Sequence, residues 1–403
     1  MTTSVVVKTS IWQIFFIFFK LGLTSFGGPI AHLGYFHQEF VVKRGWLSQQ
    51  EYADLIALCQ FLPGPTSSQV GMALGYRQGH YYGAGAAWLG FSLPSVVILL
   101  FCALALSHLG QAVSTGLIHG LKIVAVAVVA QAIWMMAKQL CPDPIRVSFM
   151  LFSCCSVLLF PALWMQVAIM IISALLGMYI FASKIDRSDS TIEANVQLHF
   201  RSLINQSAFC LLLFVLLLIG LPIVLQFYPN SDLALFDAFY RSGALVFGGG
   251  HVVLPLLQTE VVQSGWLDAD QFFAGYALAQ AMPGPLFSFA AFVGAAMPVD
   301  LPVIAACIAV LAIFLPSFLL LFSVLPFWQV LSQMIWVRSA LLAVNAAVVG
   351  ILLAALYQPM WTSSILTPLD FCLALLFWVA LMFWKTPVWL IVCVGAGIGF
   401  SFL

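Results

Sequence analysis

Charge is what this sequence has least of. Only 7% of its 403 residues are Asp, Glu, Lys or Arg, against roughly a quarter in a soluble domain. Fourteen basic and fourteen acidic side chains cancel, so no basic surface exists for nucleic acid. Polar runs are as scarce: only 184–202, with Lys184, Asp186, Arg187, Asp189, Glu193 and Arg201, is long. The nine cysteines (59, 102, 141, 154, 155, 210, 307, 372 and 393) show neither metal-ligand spacing nor a paired framework. They read as small apolar packing residues, so no metal and no cofactor is expected. Asp and His are sparse and unclustered, which leaves no nucleophile–base pair and no catalytic residues. Lys8 precedes an apolar stretch without a convincing small-residue cleavage site, so no removable signal peptide is expected.

What remains is apolar. Hydrophobic residues make up 63% of the chain and mean hydropathy is +1.08. The chain reads as an all-α polytopic membrane protein, because in lipid the backbone must satisfy itself and helices of about 20 residues do so. Full spans are expected near 82–107, 116–137, 145–162, 164–183, 203–227, 302–325, 338–357, 368–384 and 386–403.

The most specific feature is a repeat. Phe26-Gly27-Gly28-Pro29, Gly45-Trp46-Leu47-Ser48 and Gln60-Phe61-Leu62-Pro63-Gly64-Pro65 return as Phe247-Gly248-Gly249-Gly250, Gly265-Trp266-Leu267-Asp268 and Gln280-Ala281-Met282-Pro283-Gly284-Pro285. Leu93-Pro94-Ser95 and Leu315-Pro316-Ser317 extend the match. Helix breakers at corresponding places in two apolar halves point to a transporter site built from broken helices. Residues 51–62 and 66–77 are each about 18 Å of helix at 1.5 Å per residue. Meeting at Pro-Gly-Pro, they read as a re-entrant hairpin; 11–42 reads the same way, with a single kinked span as the alternative.

Lys43, Arg44, Arg77, Lys138 and Arg146 mark one set of loops in the first half, whereas in the second half Arg338 and Lys385 fall in the alternate set. By the positive-inside rule the two repeats have inverted topology. The expected organisation is residues 1–183 as first repeat, 184–232 as cytoplasmic linker plus an extra transmembrane helix, and 233–403 as second repeat. The amino terminus is then cytoplasmic and the carboxyl terminus is outside.

Glycine breaks expose amides at the positive end of the following helix, which suits an anion. The substrate-binding candidates are therefore Gly27, Gly28, Gly248 and Gly249 at the first breaks. At the second breaks they are Gln60, Gly64, Thr66, Ser67 and Ser68, with Gln280, Gly284 and Ser288. Close helix packing and N-capping are the structural alternatives. Lys20 and Arg241, each six residues before its Phe-Gly-Gly, are candidate cations, with snorkelling the alternative. Glu39, Asp54 and Glu260 are proton-coupling candidates, Glu39 being also placed for an i,i+4 pair with Lys43. His32, His37 and His251 read first as interfacial or satisfied side chains and second as relays.

The run from Phe26 to Gly34, continued through Trp46-Leu47, Glu51-Tyr52-Ala53-Asp54 and Cys59 to Pro65, resembles the chromate transporter family over essentially the whole chain, as in its long two-domain members. The resemblance implies chromate export from the bacterial cytoplasm across the inner membrane, driven by the membrane potential or proton gradient. Chromate is a tetrahedral dianion like sulfate, so a sulfate-type oxyanion carrier stays open, as does a channel-like anion pore. The expected partners are the oxyanion and the bilayer, with a homodimer compatible.

Overall fold

The computed structural model describes residues 9–108, 111–160, 165–181, 200–247, 250–328 and 334–402. Among these residues there is helix and no strand. The helices are α1 (Ile11–Thr24), α2 (Gly28–Phe36), α3 (Gln49–Phe61), α4 (Thr66–His108), α5 (Gln111–Leu140), α6 (Pro144–Leu159), α7 (Met165–Phe181), α8 (Phe200–Phe227), α9 (Ser231–Ala244), α10 (Val253–Leu257), α11 (Ala269–Ala281), α12 (Phe289–Ala296), α13 (Pro302–Val324), α14 (Ile335–Ala355), α15 (Pro368–Met382) and α16 (Val388–Phe402).

Each of the nine expected spans is a helix, but they are not equal. Five are long and apolar enough to cross a bilayer: Thr66–Leu106, Thr115–Leu140, Asn205–Phe227, Pro302–Phe327 and Ile335–Ser364. The segments expected as full spans at 145–162, 164–183, 368–384 and 386–403 are helices of 16, 17, 15 and 15 residues. At 1.5 Å per residue α6 and α15, whose ends are described, measure about 22–24 Å, short of ~30 Å of hydrocarbon. Turn chemistry trims them: Asp143 caps the start of α6, and Thr367 forms a capping box with Asp370 at the start of α15.

The expected breaks are present. α1 stops at Ser25, and α2 starts after Gly27 and Gly28, whose φ values of 100° and 77° a side chain would strain. α2 runs on through a π-helical stretch, His37–Lys43. The half-helix that opens α4 ends where Gly79 and His80 leave helical geometry, His80 with φ 51°. The expected linker lies outside the described residues up to 199, and 200–202 already belong to α8.

Corresponding helices make corresponding contacts. α1 packs along α4, and α9 along α13. Gly22 of α1 meets the Phe91 carbonyl of α4, and Gly243 of α9 meets the Ile313 carbonyl of α13. Small residues allow this backbone approach where burial in lipid supplies no driving force. The two halves also exchange helices. α5 packs on α15 and α16, while α14 packs on α6 and α7.

The halves differ in how deeply their first hairpin helix is held. On α11, the run Phe272–Ala277 is wholly buried, against α5. On α3, Gln49, Gln50, Glu51, Ala53, Asp54, Ala57 and Gln60 are exposed.

A Cβ at Gly22 would lie 2.6 Å from the Phe91 carbonyl oxygen, and one at Gly243 would strike Ile313 backbone, whereas Gly85 has open space. Gly22→Ala and Gly243→Ala should each lower stability by about 1–3 kcal/mol through overpacking, and Gly85→Ala should not. Thermal unfolding of the detergent-solubilised protein measures the difference; equal melting for all three would refute the close-packing account.

Candidate functional site

Both Pro-Gly-Pro turns cross to the other repeat. The Gly64 amide donates to the Val246 carbonyl at 2.7 Å, just before Phe247, and the Gly284 amide donates to the Ser25 carbonyl at 3.0 Å, just before Phe26. Each turn thus satisfies a carbonyl that the other repeat's broken helix leaves orphaned. Gly64 (φ 121°) and Gly284 (φ 97°) sit in conformations that side chains rarely adopt. They also face the Leu-Pro-Ser serines: a Cβ on Gly64 would collide with the Ser317 hydroxyl, and one on Gly284 would lie 2.9 Å from the Ser95 oxygen.

The first repeat brings two helix starts together here. His32 of α2 is 1% exposed. Its Nε2 lies 3.2 Å from the Ser25 carbonyl and its Nδ1 lies 3.3 Å from Ser67 Oγ, in the first turn of α4. The hydroxyls of Ser25, Ser68, Ser92 and Ser317 and Oε1 of Gln69 are buried without a hydrogen-bond partner, while Gln69 Nε2 donates to the Pro63 carbonyl at 2.7 Å. At the second turn, Ser95 of the first repeat donates to Ser288 of the second at 2.8 Å and to the Ser92 carbonyl at 3.0 Å. Ser68 and Gln69, in the first turn of α4, therefore keep unspent hydrogen-bonding capacity, which buried polar groups rarely retain.

The other sequence candidates fall around this crossing. Thr66 is half-buried at the start of α4, and Gln60 is exposed at the end of α3. Gln280 lies 3.1 Å from His251 Nδ1, which is also 3.0 Å from the Tyr276 hydroxyl. Gly248 and Gly249 lie outside the described residues.

Lys20 and Arg241, alike in sequence, have different surroundings. Lys20 is exposed and lines a cleft of about 350 Å³ between α1 and α2, with Thr24, Tyr35, Glu39, Lys43 and Arg44 among its walls. Glu39 pairs there with Lys43 at 3.3 Å, as its spacing suggested, and also with Arg44 at 2.8 Å. Three cations against one acid make this cleft electropositive. Arg241 is held between Asp237 at 2.9 Å and Glu260 at 3.0 Å, so its charge is already met by two carboxylates. That arrangement ties Glu260 as well. A second cleft of about 340 Å³, flanking the hairpin between α3 and α4, contains Asp54, Glu51 and Arg77 with Trp328. Glu51 binds Arg77 at 2.7 Å, and Asp54 accepts from Gln50 of its own helix at 3.1 Å.

One cluster was not singled out as a site from the sequence. Lys122 of α5, its side chain 5% exposed, donates to Asp270 of α11 at 2.6 Å and to the Ser363 carbonyl at 2.7 Å. One turn away His119 meets Asp370 at 3.0 Å. These pairs fasten α11 and the start of α15 to α5. The other half has no equivalent: Gln50 stands where Asp270 does after Trp-Leu, and residues 339–355 of α14 carry no acid or base. The difference accounts for the exposure of α3 and the burial of α11.

The Lys122–Asp270 pair is lopsided, since the Asp270 side chain is 59% exposed. Asp270→Asn strands a buried cation, whereas Lys122→Met frees a carboxylate that water can solvate. A stranded buried charge is strongly destabilising; screening at the exposed partner reduces this to about 1–3 kcal/mol here. Asp270→Asn should therefore melt at lower temperature than Lys122→Met in detergent, and the reverse order would refute this reading of the pair.

Comparison with known proteins agrees with this architecture. The Chromate transporter family model matches residues 12–178 and again 233–400. A "Probable chromate transport protein" from Synechococcus elongatus is 28% identical over 337 residues, covering 79% of this chain and 77% of the relative. The "Chromate transport protein" of Pseudomonas aeruginosa is 26% identical over 324 residues (76% and 70%). That of Cupriavidus metallidurans is 25% identical over 348 residues (85% and 81%). No solved structure matches the chain. Two matches of one model account for most of the sequence, and the chain belongs to the chromate transporter family.

Proposed function

We propose that this protein carries a tetrahedral oxyanion, chromate first among them, across the bacterial inner membrane by alternating access at the crossing of its two broken-helix hairpins. The reciprocal bonds Gly64 N–H to Val246 O and Gly284 N–H to Ser25 O carry this reading. They put the start of α4 and its unspent serines next to the start of α2. Helix N-termini and hydroxyls stabilise an oxyanion without an ion pair, and non-helical backbone at membrane depth is tolerated where it is buried in protein.

The asymmetry of the halves supplies the access. With α11 fastened to α5 and α3 half exposed, held by Glu51–Arg77 and Tyr52, access is assigned to the side bearing Lys43, Arg44 and Arg146, the cytoplasm by the positive-inside rule. The electropositive cleft at Lys20 lies on the path and concentrates anions at its mouth. The amino terminus is then cytoplasmic and the carboxyl terminus outside. An inside-negative potential favours outward movement of a dianion, in keeping with export. Neutral hydroxyl and amide donors suit sulfate as well as chromate, so competition by sulfate gauges how far the site separates the two.

Inside-out membrane vesicles carrying the protein should take up labelled chromate saturably when an outward-equivalent potential is imposed, and an uncoupler should abolish the effect. Lys20→Met should depress uptake at low chromate while the protein remains in the membrane, and Gly28→Leu should block it without altering topology. Non-saturable flux would indicate a pore; sulfate flux alone would reassign the substrate. Wild-type uptake by Lys20→Met would remove Lys20 from the path.

A further inference from the structure

Resting on the oxyanion site proposed above, we infer that His32 is the residue through which proton binding and oxyanion binding are linked. The inference comes from hydrogen-bond polarity. The Ser25 carbonyl can only accept, so the His32 Nε2 at 3.2 Å carries a proton and donates to it. In the neutral ring Nδ1 is then unprotonated, and Ser67, at 3.3 Å, donates its hydroxyl proton to the ring. Ser67 cannot simultaneously donate to a ligand at the start of α4.

Adding a proton to Nδ1 reverses the second bond. The imidazolium donates from both nitrogens, Nδ1–H to Ser67 Oγ and Nε2–H to the Ser25 carbonyl. The Ser67 proton rotates off the ring and becomes available to an acceptor. No covalent bond breaks and nothing but the added proton enters. The group that accepts at a helix start is an anion, because the first-turn amides already point there.

The electrostatic surroundings set the sign. His32 sits between the starts of α2 and α4, two positive dipole ends. No acid is paired with it among the described residues. On its own segment, Glu39 is committed to Lys43 and Arg44, and His37 faces Gln49. On α1, Lys20 is exposed in the cleft. On α3, the Tyr52 hydroxyl donates to the Leu33 carbonyl. On α4, Arg77 is paired with Glu51, and the ring beside His32 is Phe91, edge-to-face at 5.2 Å. The opposing hairpin, 281–296, carries no ionisable side chain, and His251 beyond it is occupied with Tyr276 and Gln280. A charged His32 therefore lacks a counter-ion until an oxyanion supplies one. Each ligand favours the other, and the effect is reciprocal. Proton and oxyanion then occupy the site together, and the loaded site carries one unit less negative charge than with the bare dianion.

The test is the pH profile of chromate uptake by proteoliposomes of the wild type, His32→Gln and Ser67→Ala. Chromate takes up a proton itself over this range, so the ratio of variant to wild-type apparent affinity is read at each pH, which cancels that contribution. The ratio for His32→Gln should fall on acidification, at most about tenfold per pH unit for one linked proton. Ser67→Ala, which keeps the imidazole and loses one oxygen, should show the same trend with transport retained. A ratio constant with pH for both variants overturns the assignment of His32 while leaving the oxyanion carrier standing. Absence of saturable chromate uptake by the wild type at every pH overturns both.

Discussion

A break in a membrane helix is possible only if the backbone groups it releases find partners, since lipid offers none. In this protein the partners come from the opposite repeat. Gly64 binds the carbonyl before Phe247, and Gly284 binds the carbonyl before Phe26. At the first break His32 of the same repeat adds a second bond to the Ser25 carbonyl. The positive φ values at the two glycines, the close approach of Ser95 and Ser317, and the convergence of the starts of α2 and α4 all follow from that exchange.

Much of this was visible in the sequence because it is periodic or local. Among the described residues every expected span is helical, and helices end at Phe26-Gly27-Gly28 and at both Pro-Gly-Pro turns. The Glu39–Lys43 pair follows from i,i+4 spacing. What spacing cannot convey is which side chain a distant helix presents. Arg241 looked like the twin of Lys20, yet Glu260 reaches it from beyond the break and Asp237 from the preceding turn. Lys122 stands in an apolar run, and its partner lies 148 residues away. His32 reads first as an interfacial or satisfied histidine in sequence and is a satisfied one in structure, between Ser67 and the Ser25 carbonyl.

The charges are placed away from the crossing, and neutral donors are placed at it. Partly buried ion pairs at Arg241 and Lys122 secure helices, while serines and glycine amides line the crossing. A site of fixed cations would bind a dianion tightly and release it slowly. Dipoles and hydroxyls give a shallower well, which suits a carrier that must let go on the far side.

The exchange of helices between halves has a consequence for biogenesis. α5 finds its companions α15 and α16 in the far half of the sequence, and α6 and α7 wait for α14. The first half to emerge from the ribosome therefore enters the membrane with its interior faces uncovered, holding its place among lipids until the last helices are threaded past it. Such high-separation contacts make assembly slow. They also mean that the two halves, however alike, mature as one unit and not as two folded repeats joined afterwards.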